Sequence, residues 1–519
     1  MNNQPTQATG QLPGYITSAT PNPPDNRAPW YKNTAPTYAG IFLWFVFWFE
    51  AMKSETLGGG LAAGLGVALL GLVLAGLICH FLFYLVPGLL GQKTGLPLYI
   101  VGTSTFGATG GFLMPGFLMG VLQFGWLGVN IFFSSQLLAM TLPVPSQVIM
   151  IVWGVLAAFV GLKGIQYVAK VATYIPLIPL GVLLVMLVKT AGTAGSFDAQ
   201  ILVNNIHPEV AASGIMTASP SPAMSTMLSL AFILTYVVGF FATAGAAGVD
   251  FGTNSRHGKD VNMGGLVGIA LAVILTAGLS TIIVAGTYGS KEYGPKAVAA
   301  AKAAVAKAVS DADAAAQKAG KPMTDEAKEQ LAVAEAANAL YRSTNLISVL
   351  LGDKAAKWLM FLLALAAFPP ACFSSFIAAN SFKTTLPKVN PFISVGLGTA
   401  VSILLAVTGW AGNAVGVFKI IGASFGPICG AMLVDYLLSG GNWSGPRAAF
   451  NPAGWISWLL GFCVGIAGQL GQFITFVPIP EVPAAPAALD LLVAQFNDVC
   501  PFLASLSDVT SHFTSPPSH

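Results

Sequence analysis

The sequence predicts an all-α membrane protein that crosses the bilayer many times. Only 8% of its 519 residues are charged and 55% are hydrophobic, and the mean hydropathy is +0.73. Ordinary globular domains carry about 25% charged residues, so this chain has too little polar surface to cover a soluble fold. Several apolar runs exceed the roughly 20 residues that a helix needs to cross the hydrocarbon core. The net charge of +3 is too small to indicate a nucleic-acid partner.

Eleven apolar segments predict eleven membrane spans. A weaker twelfth segment, near 486–506, is interrupted by Asp490, Asn497 and Asp498, so we expect 11–12 transmembrane helices. The eleven segments lie near 38–56, 60–90, 108–141, 147–162, 165–189, 226–249, 263–287, 346–380, 391–410, 414–439 and 453–476.

Basic residues in the short connections predict a cytoplasmic N-terminus. In that orientation each short cytoplasmic connection holds Lys or Arg, whereas the short extracytoplasmic loops hold little beyond Lys53 and Lys189, and the loop 190–225 holds none. Residues 1–35 form a polar tail without the charged and then apolar pattern of a signal peptide. We therefore expect a multi-pass protein of the cytoplasmic membrane.

Residues 289–342 differ from the rest of the chain because they are rich in Ala and in charge. A break at 320–322 separates two helical stretches, and Thr324 is placed to cap the second. This pattern predicts a water-soluble helical hairpin between spans seven and eight. Its charges nearly cancel, which favours a solvated spacer, and a partner-docking element is the alternative.

Trp126 and Asn130 lie one turn apart in the third apolar segment and so share a helix face. A flat aromatic ring beside a carboxamide suits a planar, polar, uncharged molecule. The alternative is structural, because a buried Asn in a membrane helix often bonds a neighbouring helix while Trp packs. The spacing alone leaves both interpretations open.

No pattern in the sequence indicates an enzyme, a cofactor or a metal. The five cysteines are scattered through mostly apolar segments without metal-type spacing, so we expect free buried thiols. No phosphate loop or Ser/His/Asp arrangement stands out. His80 is the one His well inside an apolar run, and we expect it to be hydrogen-bonded and structural, with a proton relay as the alternative.

An ordered set of motifs resembles the nucleobase:cation symporter family, the cytosine, purine, uracil, allantoin and hydantoin permeases. The resemblance covers about residues 36–475. The motifs are Gly95-Leu-Pro-Leu-Tyr99, Phe106-Gly-Ala-Thr-Gly110, Gly125-Trp-Leu-Gly-Val-Asn130, Val249-Asp-Phe251, Ala378-Ala-Asn-Ser-Phe382, Gly426-Pro427 and Asp435-Tyr436.

This resemblance implies two five-helix repeats of inverted topology with two extra helices, and a substrate site at mid-membrane. The first repeat would be 36–189 and the second 226–440, interrupted by the hairpin at 289–342. Helices within 441–507 and a polar tail at 508–519 would follow.

The resemblance also implies substrate contacts at Trp126, Asn130, Phe241 and Ser374. A base would stack between Trp126 and Phe241 while Asn130 bonds its amide-like edge. Ser374 stands where the family often has Asn on span eight, so one polar contact is weaker here. Pro370 stands at a second such Asn position.

Coupling to a cation or proton gradient is a further implication of the resemblance. The hydroxyls that help to bind sodium in such proteins fall on Phe368 and Pro369. This departure argues against a sodium site of the familiar kind, and a proton-coupled cycle through Lys170 on span five is one candidate. The choice between H⁺ and Na⁺ stays open. The alternative is that Lys170 reaches the nearby lipid headgroups.

We therefore expect a permease that imports a nucleobase such as cytosine, or a related planar nitrogenous compound. One alternative is a transporter of the same fold for a different solute. The other is a non-transporting receptor or scaffold with the hairpin as its output.

Overall fold

The computed structural model describes residues 12–42, 49, 59–163, 175, 177–201, 222–318 and 322–467. Across these residues the structure is helical and contains no β-strand, apart from one isolated bridge between Ala28 and Ser255. Eight of the described helices are long and apolar enough to cross a membrane. Two shorter apolar helices occupy the predicted spans nine and eleven. The prediction of an all-α polytopic membrane protein is confirmed.

The observed helices keep the predicted order, and we number them accordingly. Span one begins with Thr34–Phe42, and most of its remainder, like the doubtful twelfth span, lies outside the described residues. The other spans are two (Leu65–Thr94), three (Thr103–Ala139), four (Ser146–Lys163), five (Leu177–Ser196), six (Pro222–Ala246), seven (Gly258–Gly289), eight (Asp353–Thr385), nine (Pro391–Val407), ten (Ala414–Leu438) and eleven (Pro452–Gly465).

Helix irregularities occur in matching spans of the two halves. Spans two and seven each contain one π-helical stretch, at Cys79–Tyr84 and Leu266–Leu271. Span three has a π-helical stretch around Pro115, and span eight is broken at Ala367 just before its two prolines. Proline interrupts a helix because it donates no hydrogen bond. The pairing of two with seven and three with eight is that of a five-helix repeat.

Spans six and ten cross at a pair of glycines. A β-carbon at Gly239 would lie 2.5 Å from the Phe418 carbonyl oxygen, and one at Gly422 would lie 3.0 Å from Gly239 Cα. Only glycine permits this approach of two backbones, as at other close crossings of membrane helices. The crossing fixes the level at which spans six and ten present their aromatic side chains to span three.

The N-terminal segment lies against one end of the helical bundle. The Arg27 guanidinium donates to the Gln92 carbonyl oxygen at 2.8 Å, at the end of span two. The Ala28 N–H donates to the Asn254 carbonyl oxygen at 2.8 Å. This part of the predicted polar tail is therefore bound to the end of span two and to the connection between spans six and seven.

The segment between spans seven and eight contains two helices, Tyr293–Lys318 and Asp325–Tyr341. The predicted Thr324 cap is confirmed, since its hydroxyl accepts the Ala327 N–H at 3.2 Å. Lys328 and Asp313 form an ion pair of 2.9 Å between the helices, and this hydrogen bond lowers the pKa of Asp313. The Tyr288 hydroxyl bonds the Leu340 carbonyl at 2.5 Å and fastens the hairpin base to span seven.

Candidate functional site between spans three, six, eight and ten

Trp126 packs against aromatic side chains of two other spans, and we call these four residues the aromatic cluster: Trp126, Tyr236, Phe240 and Phe418. The ring centroid of Trp126 is 4.4 Å from that of Phe240 on span six and 5.0 Å from that of Phe418 on span ten. Its indole N–H donates to the Thr243 hydroxyl at 3.1 Å. Aromatic rings at these separations attract one another by roughly 1 kcal/mol beyond their burial. The Trp126 ring is therefore held in a defined orientation while remaining half-buried.

Phe241, the predicted second wall, points to a different neighbour. Its ring is fully buried and lies 5.8 Å from Phe42 and 6.0 Å from Tyr38, both on span one. Successive residues of a helix point about 100° apart, so Phe240 and Phe241 cannot both face span three. In this conformation Phe240 holds the position opposite Trp126 that the sequence comparison gave to Phe241.

The Asn130 side chain hydrogen-bonds two neighbouring helices and its own helix. Its amide nitrogen donates to the Ala367 carbonyl oxygen on span eight at 2.9 Å. Its amide oxygen accepts from Trp153 Nε1 on span four at 3.2 Å and from the Ser134 hydroxyl at 3.3 Å. We call this set the Asn130 junction: Asn130, Ser134, Trp153 and Ala367. In this conformation Asn130 therefore makes the bonds to neighbouring helices that the structural alternative predicts.

The Asn130 junction leaves little bonding capacity for a ligand. A carboxamide oxygen accepts two hydrogen bonds and its nitrogen donates two. Both acceptor sites and one donor of Asn130 are in use, and the side chain is only 4% exposed. A substrate contact at Asn130, which stays a prediction, requires at least one of these bonds to open.

Ser374 lies on the face of span eight that contacts span three. The two spans run antiparallel, because the Ser381 hydroxyl bonds the Gly116 carbonyl while Asn130 bonds Ala367. On a helix, Ser374 shares a face with Ala367 and Ser381. Ser374 is half-buried there, and its role as a substrate contact stays a prediction.

Sequence reasoning missed four residues of this region: Gln123, Phe240, Thr243 and Phe418. Gln123 had a usable signal, since a carboxamide in an apolar span three residues before Trp126 must share its face. Phe240 carried no signal that separates it from Phe241. Thr243 and Phe418 are common residue types in apolar helices, and only the packing of spans six and ten brings them to Trp126.

Other predicted residues lie apart from this region. Lys170 falls outside the described residues. His80 is buried, and its Nε2 is 3.0 Å from the Asn262 amide oxygen on span seven, a link between two spans. Cys79, Cys372 and Cys429 are free and buried, whereas Cys463 is exposed. No group of three His, Cys, Asp or Glu gathers within the described part of the chain.

Asp250 lies in the connection between spans six and seven. Its carboxylate accepts the Leu98 N–H at 2.9 Å and so ties this connection to the one between spans two and three. Solvent reaches one side of the residue, and protein atoms enclose the rest. This desolvation raises the pKa of Asp250 to about 6, against the opposing effect of the Leu98 hydrogen bond.

The fold is similar to that of MHP1, a nucleobase-cation-symport-1 family transporter. MHP1 in a closed conformation with bromovinylhydantoin bound is 13% identical, with a TM-score of 0.54 over 93% of this chain and 95% of that chain. Its inward-facing conformation is 13% identical, with a TM-score of 0.55 over 96% of each chain.

A third solved structure is a Na⁺-coupled sialic acid symporter in a substrate-bound, outward-open state. It is 12% identical, with a TM-score of 0.51 over 91% of this chain and 89% of that chain. No protein-family model matches the chain, and no curated protein matches its sequence.

At these identities the likeness establishes the fold. The chain has the five-plus-five fold of a multi-pass membrane transporter, and its resemblance to the nucleobase:cation symporters is confirmed at that level. The solved proteins that it resembles are transporters and not enzymes.

Proposed function

We propose that this protein is a secondary transporter that imports a nucleobase such as cytosine, or a related small planar nitrogenous compound. Import would proceed across the cytoplasmic membrane, with the N-terminus in the cytoplasm. The observation that carries the proposal is the position of Trp126, held between spans of both repeats in a fold that MHP1 shares. MHP1 was solved with bromovinylhydantoin bound, a ligand with a planar ring bearing amide groups.

The proposed substrate contacts are Trp126 and Ser374, with Asn130 and Phe241 in supporting positions. The face of Trp126 provides a stacking surface, and the Ser374 hydroxyl provides one donor and two acceptors. Phe240 and Phe418 occupy the space beside Trp126, so a solute that stacks there must displace at least one ring edge. Asn130 and Phe241 contact the solute only if their present partners part during the transport cycle.

Coupling to a cation or proton gradient is part of the proposal. The Na⁺-coupled sialic acid symporter of the same fold supports a cation as the driving ion. At the break of span eight, however, Phe368 packs its ring 5.0 Å from Trp153 and brings no hydroxyl. Proton coupling through Lys170 is therefore the version to test. Lys170→Ala should abolish the response of uptake to a pH gradient. Unchanged proton dependence of uptake would rule out Lys170 as the coupling residue.

Two rivals remain beside the nucleobase proposal. A same-fold transporter of another solute is favoured by Ser374 and Pro370, which replace two amides expected on span eight. A receptor or scaffold is favoured by the charged hairpin that stands on span seven. Replacement of Trp126 would spare a scaffold function and impair either transporter.

A ligand-stabilisation screen tests the proposal. A ligand that binds only the folded state raises apparent stability, by about 2.7 kcal/mol at one hundred times its Kd. Purified protein would be melted with cytosine, uracil, adenine, hydantoin, amino acids and small amides, each with and without sodium. We expect a nucleobase or hydantoin to raise the midpoint. Stabilisation by an amino acid alone would instead support a transporter of the same fold for another solute.

A further inference from the structure

Gln123 is a second carboxamide on the face of span three that carries Trp126. It precedes Trp126 by three residues and Asn130 by seven, so all three side chains project from one side of the helix. It stands near the middle of span three, Thr103–Ala139, where transporters built from inverted repeats hold their substrates. The side chain is only 5% exposed.

The carboxamide of Gln123 makes fewer hydrogen bonds to the described residues than that of Asn130. A Gln carboxamide has two donor and two acceptor positions. Its one hydrogen bond to another described residue runs from Nε2 to the Met119 sulfur at 3.6 Å, and thioether sulfur is a weak acceptor. A buried amide without strong partners is costly in an apolar span. Among the described residues, Gln123 therefore has donor and acceptor positions free for a ligand, whereas most of those of Asn130 are occupied.

Ser374 stands opposite Gln123 by register. Span three bonds span eight at Gly116 with Ser381 and again at Asn130 with Ala367. The two stretches between these bonds are of equal length and run antiparallel, and Gln123 and Ser374 are their midpoints. Both therefore lie at one depth on the facing sides of the two helices, one turn from Trp126.

We propose that Gln123 is a specificity-determining residue whose carboxamide hydrogen-bonds the polar edge of the transported solute. The solute would stack at Trp126, and Ser374 would bond it from span eight. Gln123 would thus make the hydrogen bonds to the solute that the sequence resemblance assigned to Asn130. The Asn130 junction would hold spans three, four and eight together. This inference rests on the proposed function, and it names an edge of alternating N–H and C=O groups as the feature recognised.

The variant Gln123→Met tests this assignment. Methionine keeps the length and nearly the volume of the side chain but removes its strong donors and acceptors. The matched control is Gln136→Met, which changes the same residue type on the same helix at an exposed position on a different face. Uptake of labelled cytosine, uracil, adenine and hydantoin into proteoliposomes would be measured beside the thermal midpoint of each variant.

We expect Gln123→Met to lower uptake of the preferred solute at least ~10-fold, since loss of one partner leaves the solute's polar edge unpaired. Its thermal midpoint should equal or exceed that of the wild type, because the hydrogen bond lost among the described residues is the weak one to the Met119 sulfur. Gln136→Met should match the wild type in both measurements.

Two results would overturn the inference alone. The first is a wild-type selectivity profile in Gln123→Met, with the wild-type protein active. The second is a fall in the thermal midpoint as large as that of Asn130→Ala, which would make Gln123 a structural residue. If the wild-type protein takes up none of the four solutes, the proposed function fails and the inference fails with it.

Discussion

The amide nitrogen of Asn130 lies 2.9 Å from the carbonyl oxygen of Ala367, at the point where span eight is broken. Pro369 and Pro370 deprive the preceding turn of two backbone donors. In a membrane such a break is tolerated where neighbouring groups satisfy the backbone. In a regular helix those donors would bond the carbonyl oxygens of Leu365 and Ala366. The Ala367 carbonyl keeps a 3.4 Å bond from the Ala371 N–H and accepts a second from Asn130, which couples span three to the break.

Removal of the Asn130 amide should therefore reduce stability. Asn130→Ala loses the bonds to Ala367, Trp153 and Ser134 and leaves the Trp153 N–H buried without its acceptor. We expect a loss of about 1–3 kcal/mol, seen as a lower midpoint in thermal unfolding of the purified protein. Gln136→Ala, on the exposed face of the same helix, is the control. Wild-type stability together with lost selectivity would instead support Asn130 as the substrate-reading amide.

The glycine crossing of spans six and ten should tolerate no side chain. Gly239→Ala would place a β-carbon 2.5 Å from the Phe418 carbonyl oxygen and push the two backbones apart. Overpacking of this kind costs about 1–3 kcal/mol, and here it would also displace Phe240 and Phe418 from Trp126. Thermal unfolding and uptake should both be impaired. Gly181→Ala on span five, where a β-carbon meets nothing within 4 Å, should behave as wild type in both assays.

The indole of Trp126 should set the affinity for a planar solute. Trp126→Phe keeps a ring in the aromatic cluster but loses the larger stacking surface and the bond to Thr243. A loss of about 1 kcal/mol predicts a KM for uptake that is raised roughly fivefold. Trp410→Phe is the control, since Trp410 is 71% exposed at the end of span nine. An unchanged KM in Trp126→Phe would place the solute elsewhere.

Asp250 should make the stability of the protein depend on pH. Its pKa is raised from 3.8 to about 6 in the folded state, so the folded protein holds this proton more tightly than the unfolded chain. Stability should therefore fall as the pH rises from about 4 to about 6 and then level off. Asp250→Asn keeps an oxygen for the Leu98 N–H and should remove that fall.

The measurement is the thermal midpoint of Asp250→Asn and of the wild type from pH 4.5 to pH 7.5. Solvent on one side of Asp250 makes the expected difference small, and it should be largest at the upper end of this range. Asp311→Asn, at an exposed position on the charged hairpin, controls for the loss of one carboxylate. Parallel curves for Asp250→Asn and the wild type would contradict the prediction.

Local sequence patterns were sufficient to predict the helices, and they were insufficient to predict the partners of the site residues. Apolar length and charge deficit depend on composition alone, and they placed each span that the structure describes. The choice between Phe240 and Phe241 depends on how span six is rotated against span three, and no local pattern records that rotation. The Asn130 junction likewise needs Trp153 and Ala367, which come from two other helices. Gln123 was within reach of sequence reasoning through its spacing from Trp126.

The most direct test of the account is gradient-driven uptake by the wild-type protein in proteoliposomes. Labelled cytosine, uracil, adenine and hydantoin would each be offered with an inward proton gradient, an inward sodium gradient or neither. We expect saturable uptake of at least one solute that depends on one of the two gradients. No gradient-dependent uptake of any of the four by a folded, stable protein would contradict the proposed transport function.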